Sequence, residues 1–263
     1  AIEALDLIKV QYEELPAVFS PKAAIAPGAS LVHPDLANYK CEGNLKPQGN
    51  LLEQGNLVRG DIQHAWDKCY LVYEADYSTP VVYQGFTQPH ETTAVMETSG
   101  RITVWASNKS PFILRQMIAQ SLALPVSQIH IASVAVGGDF GGKGTAQTEP
   151  ICVLLAMKSR RPVRLTLNRE EELTSTFLKE ATTTHIKLGV SRDGEIIALQ
   201  GQITYDTGAY CDLVGGMPRS CNDLHGPYRI PNVELTANRV YTNNSPRGHM
   251  RAPPTPQPVF AME

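Results

Sequence analysis

The chain has 263 residues, 42% of them hydrophobic and 19% charged, a length suited to one large or two modest domains. Its 23 Lys and Arg against 26 Asp and Glu give a formal net charge of −3, which argues against a binder drawn to nucleic acid by a basic surplus. The apolar fraction is too high for disorder, and no apolar run approaches the roughly 20 residues of a membrane-spanning helix.

The chain opens on Ala1 without an initiator Met or a signal-peptide layout, and Pro258 to Glu263 reads as the start of a helix. Both ends therefore read as cut from a longer polypeptide. Ile8 to Glu13 alternates like a half-buried strand ended by Pro16. Pro21 to Pro47 holds four prolines and reads as a long ordered loop. Asp61 to Lys68 suits a short helix or edge segment, and Cys69 to Tyr77, aromatic and β-branched, a strand.

The middle of the chain is more regular. Arg101 to Ala106 alternates as a strand. Ser110-Pro111 then supplies an N-cap with Pro at the first helical position, and Ile113, Leu114, Met117, Ile118 and Leu122 follow at helical spacing up to Pro125. Ile129 to Val136 reads as a strand, the residues around Ile151 to Met157 as a helix, and Pro162 to Leu167 as a strand. In the last third, Thr182 to Val190 and Glu195 to Tyr205 form a hairpin through Ser191-Arg192-Asp193-Gly194, and Asn232 to Asn243 is a further strand. Five prolines from Pro246 to Pro258 argue against regular structure there. The fold class is α+β, with mixed sheets and packed helices.

Five cysteines, none in a CxxC pair, exclude a zinc ribbon or iron–sulfur cluster held by this chain. The odd count reads as reduced core or loop thiols, which makes a cytoplasmic setting the default and leaves the periplasm open.

The feature richest in chemistry is Gly137-Gly138-Asp139-Phe140-Gly141-Gly142-Lys143-Gly144, between a strand and a helix. Glycines let backbone turn sharply and approach a ligand, and unpaired amides at a helix start favour an anion. This reads as a loop cradling a phosphate or cofactor, against a plain tight connection. Gly137 to Lys143 also fits GxxxxGK, but a nucleotide P-loop needs Ser or Thr next, and Gly144 stands there. His90-Glu91 fails HExxH because Ala94 replaces the second His, so His90 reads as packed and hydrogen-bonded. Asn108 sits at a strand-to-helix turn, where it can cap the turn or meet an oxo or carbonyl group. Arg219 and Arg251 lie in late loops able to orient a carboxylate, carbonyl or phosphate. Glu170-Glu171-Glu172 reads as a solvated helix start. No Ser-His-Asp, Cys-His or paired-carboxylate set emerges.

Taken in order, these segments resemble the large, molybdenum-binding subunit of the xanthine dehydrogenase and aldehyde oxidase family of molybdenum hydroxylases. Gly137 to Lys143 looks like that family's GGxFGGK loop, and Tyr228-Arg229-Ile230-Pro231-Asn232 like its YxIPN segment. Arg251 to Gln257 resembles a divergent RGxGxPQ stretch, and His90-Glu91-Thr92 the LET or MEP segment. Val10 to Pro16 looks like the tail of the small domain that precedes the molybdenum domains.

The resemblance implies a molybdopterin-binding domain type of fold. Residues 1–40 would end the preceding small α+β domain and its linker, and 41–263 would form a first molybdopterin-binding domain truncated at its C-terminal end. It implies a molybdenum–molybdopterin cofactor, as mononucleotide or cytosine dinucleotide, that hydroxylates an aldehyde or N-heterocycle with water as oxygen source. Electrons would leave through iron–sulfur clusters and possibly FAD on other subunits or domains. By resemblance, Phe140 lies beside the molybdenum, and Gly138, Asp139, Gly141 and Gly142 along the pterin. Arg251 and Asn108 touch the cofactor, and Arg219 orients substrate. Gly144 and Pro253 replace residues that purine-oxidising members use, which disfavours a purine. The activating glutamate is expected beyond residue 263, so this stretch alone is expected to be inactive, with no catalytic residue or metal ligand of its own. The alternatives are a cofactor-free scaffold and a P-loop nucleotide binder.

Overall fold

The structure, a computed structural model, describes residues 2–39, 47–212 and 215–263. Cys41 and the expected boundary between residues 40 and 41 lie outside the described residues. In chain order the elements are α1 (Ile2–Leu5), α2 (Pro21–Ala24), β1 (Leu51–Arg59), α3 (Ile62–Trp66), β2 (Leu71–Thr79), β3 (Glu91–Met96), β4 (Ile102–Ala106), α4 (Pro111–Leu122) and β5 (Ile129–Ala132). They continue with α5 (Glu149–Ser159), β6 (Val163–Thr166), α6 (Arg169–Ser175), β7 (Ala181–Val190), β8 (Ile196–Gly208), α7 (Met217–His225), β9 (Asn232–Tyr241) and α8 (Pro256–Met262).

Two sheets result: one of five strands in the order β1-β9-β8-β7-β2 and one of four in the order β5-β4-β3-β6. Each mixes antiparallel pairs with one parallel pair, β8 with β9 and β4 with β5, so the expected α+β class holds.

The four-stranded sheet packs one face on α4 and α5 around Ala94, Ile102, Val104, Leu114, Ile118, Cys152 and Val153. Ile102 and Leu114 are fully buried, and truncating either to Ala costs about 2–5 kcal/mol. In the five-stranded sheet, alternation sorts the two faces. Ile186, Leu199, Ile203, Leu235 and Ala237 turn toward α7 and α8. The opposite face carries the cross-strand row Asp76, His185, Gln202, Thr236 and Asn56. Helix α7 rests directly on β1, because a Cβ on Gly55 would lie 2.4 Å from the Met217 carbonyl carbon.

Several expectations change. Ile8 to Glu13 is not a strand: it is exposed and pairs with no strand among the described residues, and a half-buried pattern needs a sheet to lie on. β5 stops at Ala132, short of the expected Val136. Residues 217–225 form a helix rather than a loop, with Met217, Cys221 and Leu224 inward at helical spacing. The proline-rich stretch ends in α8, where Pro256 occupies a first-turn position whose N–H would go unused. Ser110 makes no side-chain cap; Asn108 Oδ1 accepts the Ser110 N–H at 2.8 Å instead. The hairpin through Ser191–Gly194 and the strand from Asn232 form as expected.

Candidate functional site

The 80–90 segment leads from the five-stranded sheet to the four-stranded one, and the glycine loop lies on top of it. Gln84 Nε2 donates to the carbonyls of Phe177 and His249, both at 2.8 Å, tying three chain segments together. Phe86 is buried beneath the loop: a Cβ on Gly138 would lie 3.0 Å from Phe86 Cβ, and one on Gly142 2.9 Å from its ring. Gly137 and Gln88 exchange hydrogen bonds, the Gly137 N–H reaching Gln88 Oε1 at 2.6 Å. Gly141, at φ +108°, would drive a Cβ to 2.8 Å from the His249 carbonyl oxygen. The glycines are thus needed for contact with protein below the loop as well as for its turn.

Beneath the loop sits a buried charged brace. Lys143 is fully buried; its Nζ donates to the Gln88 carbonyl at 2.6 Å and lies 4.3 Å from the Phe86 ring centroid. Burial lowers the Lys143 pKa, and the charges of Glu172 and Asp139 offset only part of that. Glu172 is fully buried, although the sequence reads it as solvated. The capping box of α6 uses Asn168 and the exposed Glu171, and one further step of about 100° turns the next carboxylate inward. There Glu172 accepts the backbone N–H of His90 and its Nδ1–H at 2.9 Å. Burial alone would raise the Glu172 carboxyl, but the His90 donors and the Lys143 charge hold it below the ordinary glutamate range.

Gln147 Nε2 lies 2.8 Å from His90 Nε2 and 2.8 Å from the Gly142 carbonyl. His90 Nε2 also lies 3.1 Å from the Gly142 carbonyl, and its Nδ1 faces Glu172. His90 is therefore packed and hydrogen-bonded, as its sequence context implies.

Above the brace the loop is open. Phe140 is 49% exposed and adopts φ +48°, a strained setting for a residue with a side chain. Its carbonyl accepts the Arg251 N–H at 2.8 Å, so Phe140 and Arg251 are brought together. The Arg251 guanidinium is exposed and has no partner among the described residues. Asn108 is buried, its Nδ2 donating to the Thr145 carbonyl at 3.1 Å and to Glu149 Oε1 at 3.2 Å. Arg219 stands apart on the exposed side of α7, 3.7 Å from Asp223 and 3.4 Å from Thr255 Oγ1. The structure thus joins Gly138, Asp139, Phe140, Gly141, Gly142 and Arg251 in one patch, sets Asn108 beneath its flank and leaves Arg219 on another helix.

Sequence reasoning missed Gln84, Lys109 and Glu172, which support the loop. Glu172 and His90 stand 82 positions apart, and no local pattern links them. A nucleotide P-loop does not fit, because the lysine that would reach phosphate is buried facing the other way. The loop suits an acceptor-rich group: the N–H groups of Gly138, Asp139 and Phe140 have no partner among the described residues, and neither has the guanidinium of Arg251, whose own N–H bonds the Phe140 carbonyl. No cluster of three metal-ligating side chains occurs among the described residues, and none of their helices is long and apolar enough to cross a membrane.

Comparison with known proteins bears on that group. The chain is 33% identical over 256 residues to the nicotinate dehydrogenase large molybdopterin subunit of Eubacterium barkeri, covering 97% of this chain and 57% of that protein. It is 32% identical over 261 residues to a probable xanthine dehydrogenase subunit of Bacillus subtilis, covering 99% of this chain and 33% of that protein. The solved structure of the aldehyde oxidoreductase from Desulfovibrio gigas matches with a TM-score of 0.86 at 24% identity, over 100% of this chain and 28% of that one, and shares its fold. The chain thus spans about a third to just over a half of the length of these curated relatives. The family model described as the molybdopterin cofactor-binding domain matches residues 45–263, and the chain belongs to that family.

Proposed function

We propose that this chain supplies part of the cofactor and substrate site of a molybdenum hydroxylase that oxidises an aldehyde or N-heterocycle with water as oxygen source. The observation that carries this reading is that the N–H groups of Gly138, Asp139 and Phe140 and the guanidinium of Arg251, whose own N–H bonds the Phe140 carbonyl, have no partner among the described residues, in a chain of the molybdopterin cofactor-binding family. When bound, the molybdenum–molybdopterin group supplies the two-electron oxidation that protein side chains cannot perform. The chain's own residues then bind and orient. The Phe140 N–H would be free to donate to an oxygen of the group, and Gly138, Asp139, Gly141 and Gly142 would let backbone lie close along the pterin. Arg251 would pair with acceptors of the group, and the exposed Phe140 ring would lie beside the substrate.

Asn108 contributes by holding the turn that leads into α5, and Arg219 is assigned to the substrate's approach. The pterin is taken as the mononucleotide or cytosine dinucleotide. Iron–sulfur clusters and FAD on other domains or subunits would receive the electrons; residues 1–40 would be the end of a preceding small α+β domain with its linker, and 41–263 the first molybdopterin-binding domain. The test is turnover of aldehydes and N-heterocycles in oxygen-18 water by the native polypeptide purified from its host. Label in the product supports the reading; a protein that carries no pterin is a scaffold, and the reading fails.

A further inference from the structure

The glycine loop contains its own anion. Asp139 Oδ2 accepts the Gly141 N–H at 2.9 Å, and Asp139 Oδ1 accepts the Lys143 N–H at 2.6 Å. Lys109 Nζ donates to the same Oδ2 at 2.9 Å, and the Gly142 N–H goes to the Asp139 carbonyl at 2.9 Å. The donors that a phosphate would need on this side are therefore bonded to a carboxylate attached to the loop itself. Gly144 lies close to this lysine: a Cβ there would come within 3.1 Å of Lys109 Cε. The Asp139 bonds flank the one loop residue that pays a conformational penalty, Phe140 at φ +48°, roughly 1–3 kcal/mol. The Phe140 N–H itself has no partner among the described residues.

We propose that Asp139 is a positioning residue whose carboxylate, clamped by Lys109, serves as the loop's resident anion. It fixes the Phe140 peptide with its N–H unpartnered and reserves that N–H for an uncharged or weakly charged oxygen of the bound group, excluding phosphate. The second half rests on the reading above that the loop faces a molybdopterin group; the first half does not. Electrostatics support the clamp. Burial alone would raise the Asp139 carboxyl, but Lys109 and the two loop amides more than offset it and hold it below the usual carboxylate range.

The test compares the unmodified chain with Asp139→Ala, Asp139→Asn and Lys109→Met. Amide hydrogen exchange is followed without any ligand, and binding of inorganic phosphate by phosphorus NMR. Asp139→Ala is expected to speed exchange at Gly141 and Lys143 about tenfold or more, with β3 and β4 unchanged. Millimolar formate is expected to restore part of the protection in Asp139→Ala. This variant should also gain phosphate binding that the unmodified chain lacks. Lys109→Met, which spares the backbone, is expected to give a smaller rise at the same two amides, and keeps the idea testable should the alanine variant fail to fold.

Unchanged exchange at Gly141 and Lys143 in every variant, or equal phosphate binding with and without Asp139, overturns the proposal. The molybdenum content of the native polypeptide separates the two readings. A metal-free wild type removes the molybdopterin reading while the exchange data still judge the clamp. Metal present in the wild type but reduced in Asp139→Ala supports both.

Discussion

Two glycine-rich turns, Gly137–Gly144 before α5 and Gly215–Gly216 before α7, begin from the same local chemistry and end differently. Each offers backbone N–H groups ahead of a helix, and each has a carboxylate bound to them. At the second turn the carboxylate is Glu53 on β1, far away in sequence. It accepts from Gly215 at 3.1 Å, Met217 at 3.2 Å and the buried Arg239 at 2.9 Å, whose other side bonds Glu180. Through Glu53 that turn is tied to the buried Arg239, and its arginine, Arg219, faces solvent. At the first turn the carboxylate is local. Asp139 takes the Gly141 and Lys143 amides, and those of Gly138, Asp139 and Phe140 have no partner among the described residues. Glycine content marks where backbone can approach a partner. The position of the nearest carboxylate decides whether that partner is the protein or a ligand.

The largest expected effect breaks the closed turn. Glu53→Ala leaves Arg239 with one carboxylate and uncaps α7, so it should cost about 3–5 kcal/mol in chemical denaturation, without a specific effect on the glycine loop. Asp139→Ala should cost far less, about 1–2 kcal/mol, because its bonds are partly exposed. Equal losses at the two sites would erase the contrast.

The brace beneath the open turn adds a pH signature. The folded-state pKa of Glu172 is depressed, so its contribution is fully present above the ordinary value of 4.5 and is lost as pH falls through the lower folded value. Stability measured from neutral pH into that acid range should fall, and Glu172→Gln should flatten the fall. An unchanged acid limb would count against a charged Glu172.

A third variant acts on the backbone. Gly141→Ala meets the His249 carbonyl and a positive φ at once, so about 1–3 kcal/mol is expected, together with loss of molybdenum from the native polypeptide. The sequence alone suggests that Gly141→Val would stop loading without disturbing the fold; the contact with residues 249–250 adds a structural cost. Arg251→Ala should shift stability by no more than about 0.5 kcal/mol while lowering molybdenum content. The smallest effect is expected from Arg219→Ala: stability again within about 0.5 kcal/mol, and a raised KM with unchanged metal content.

Much of the scaffold was legible because it is local. The spacing of Leu114, Ile118 and Leu122 shows α4, and Ser191 to Gly194 shows the hairpin. Strands β1 and β3 were harder. Their inward residues, such as Gly55, Thr92 and Ala94, are small or polar, and they belong to strands only because neighbours cover them. Helix α7 was readable from Met217, Cys221 and Leu224, but the preceding glycines and Pro218 drew attention to loop geometry instead. At the site, the order of Gly137 to Lys143 showed where backbone would come close to a partner. That Lys143 points inward, that Glu172 is buried and that Asp139 fills part of the loop all depend on chain segments tens of residues away.

The central claim is that the open turn at Phe140 lies against a molybdenum-bearing group. Metal analysis of the native polypeptide, made in cells that build the molybdopterin cofactor, tests it most directly, with Gly141→Ala as the paired control. Near-stoichiometric molybdenum, lost in the variant, is the expected result. A metal-free wild type, or a variant that keeps all its molybdenum, would contradict it.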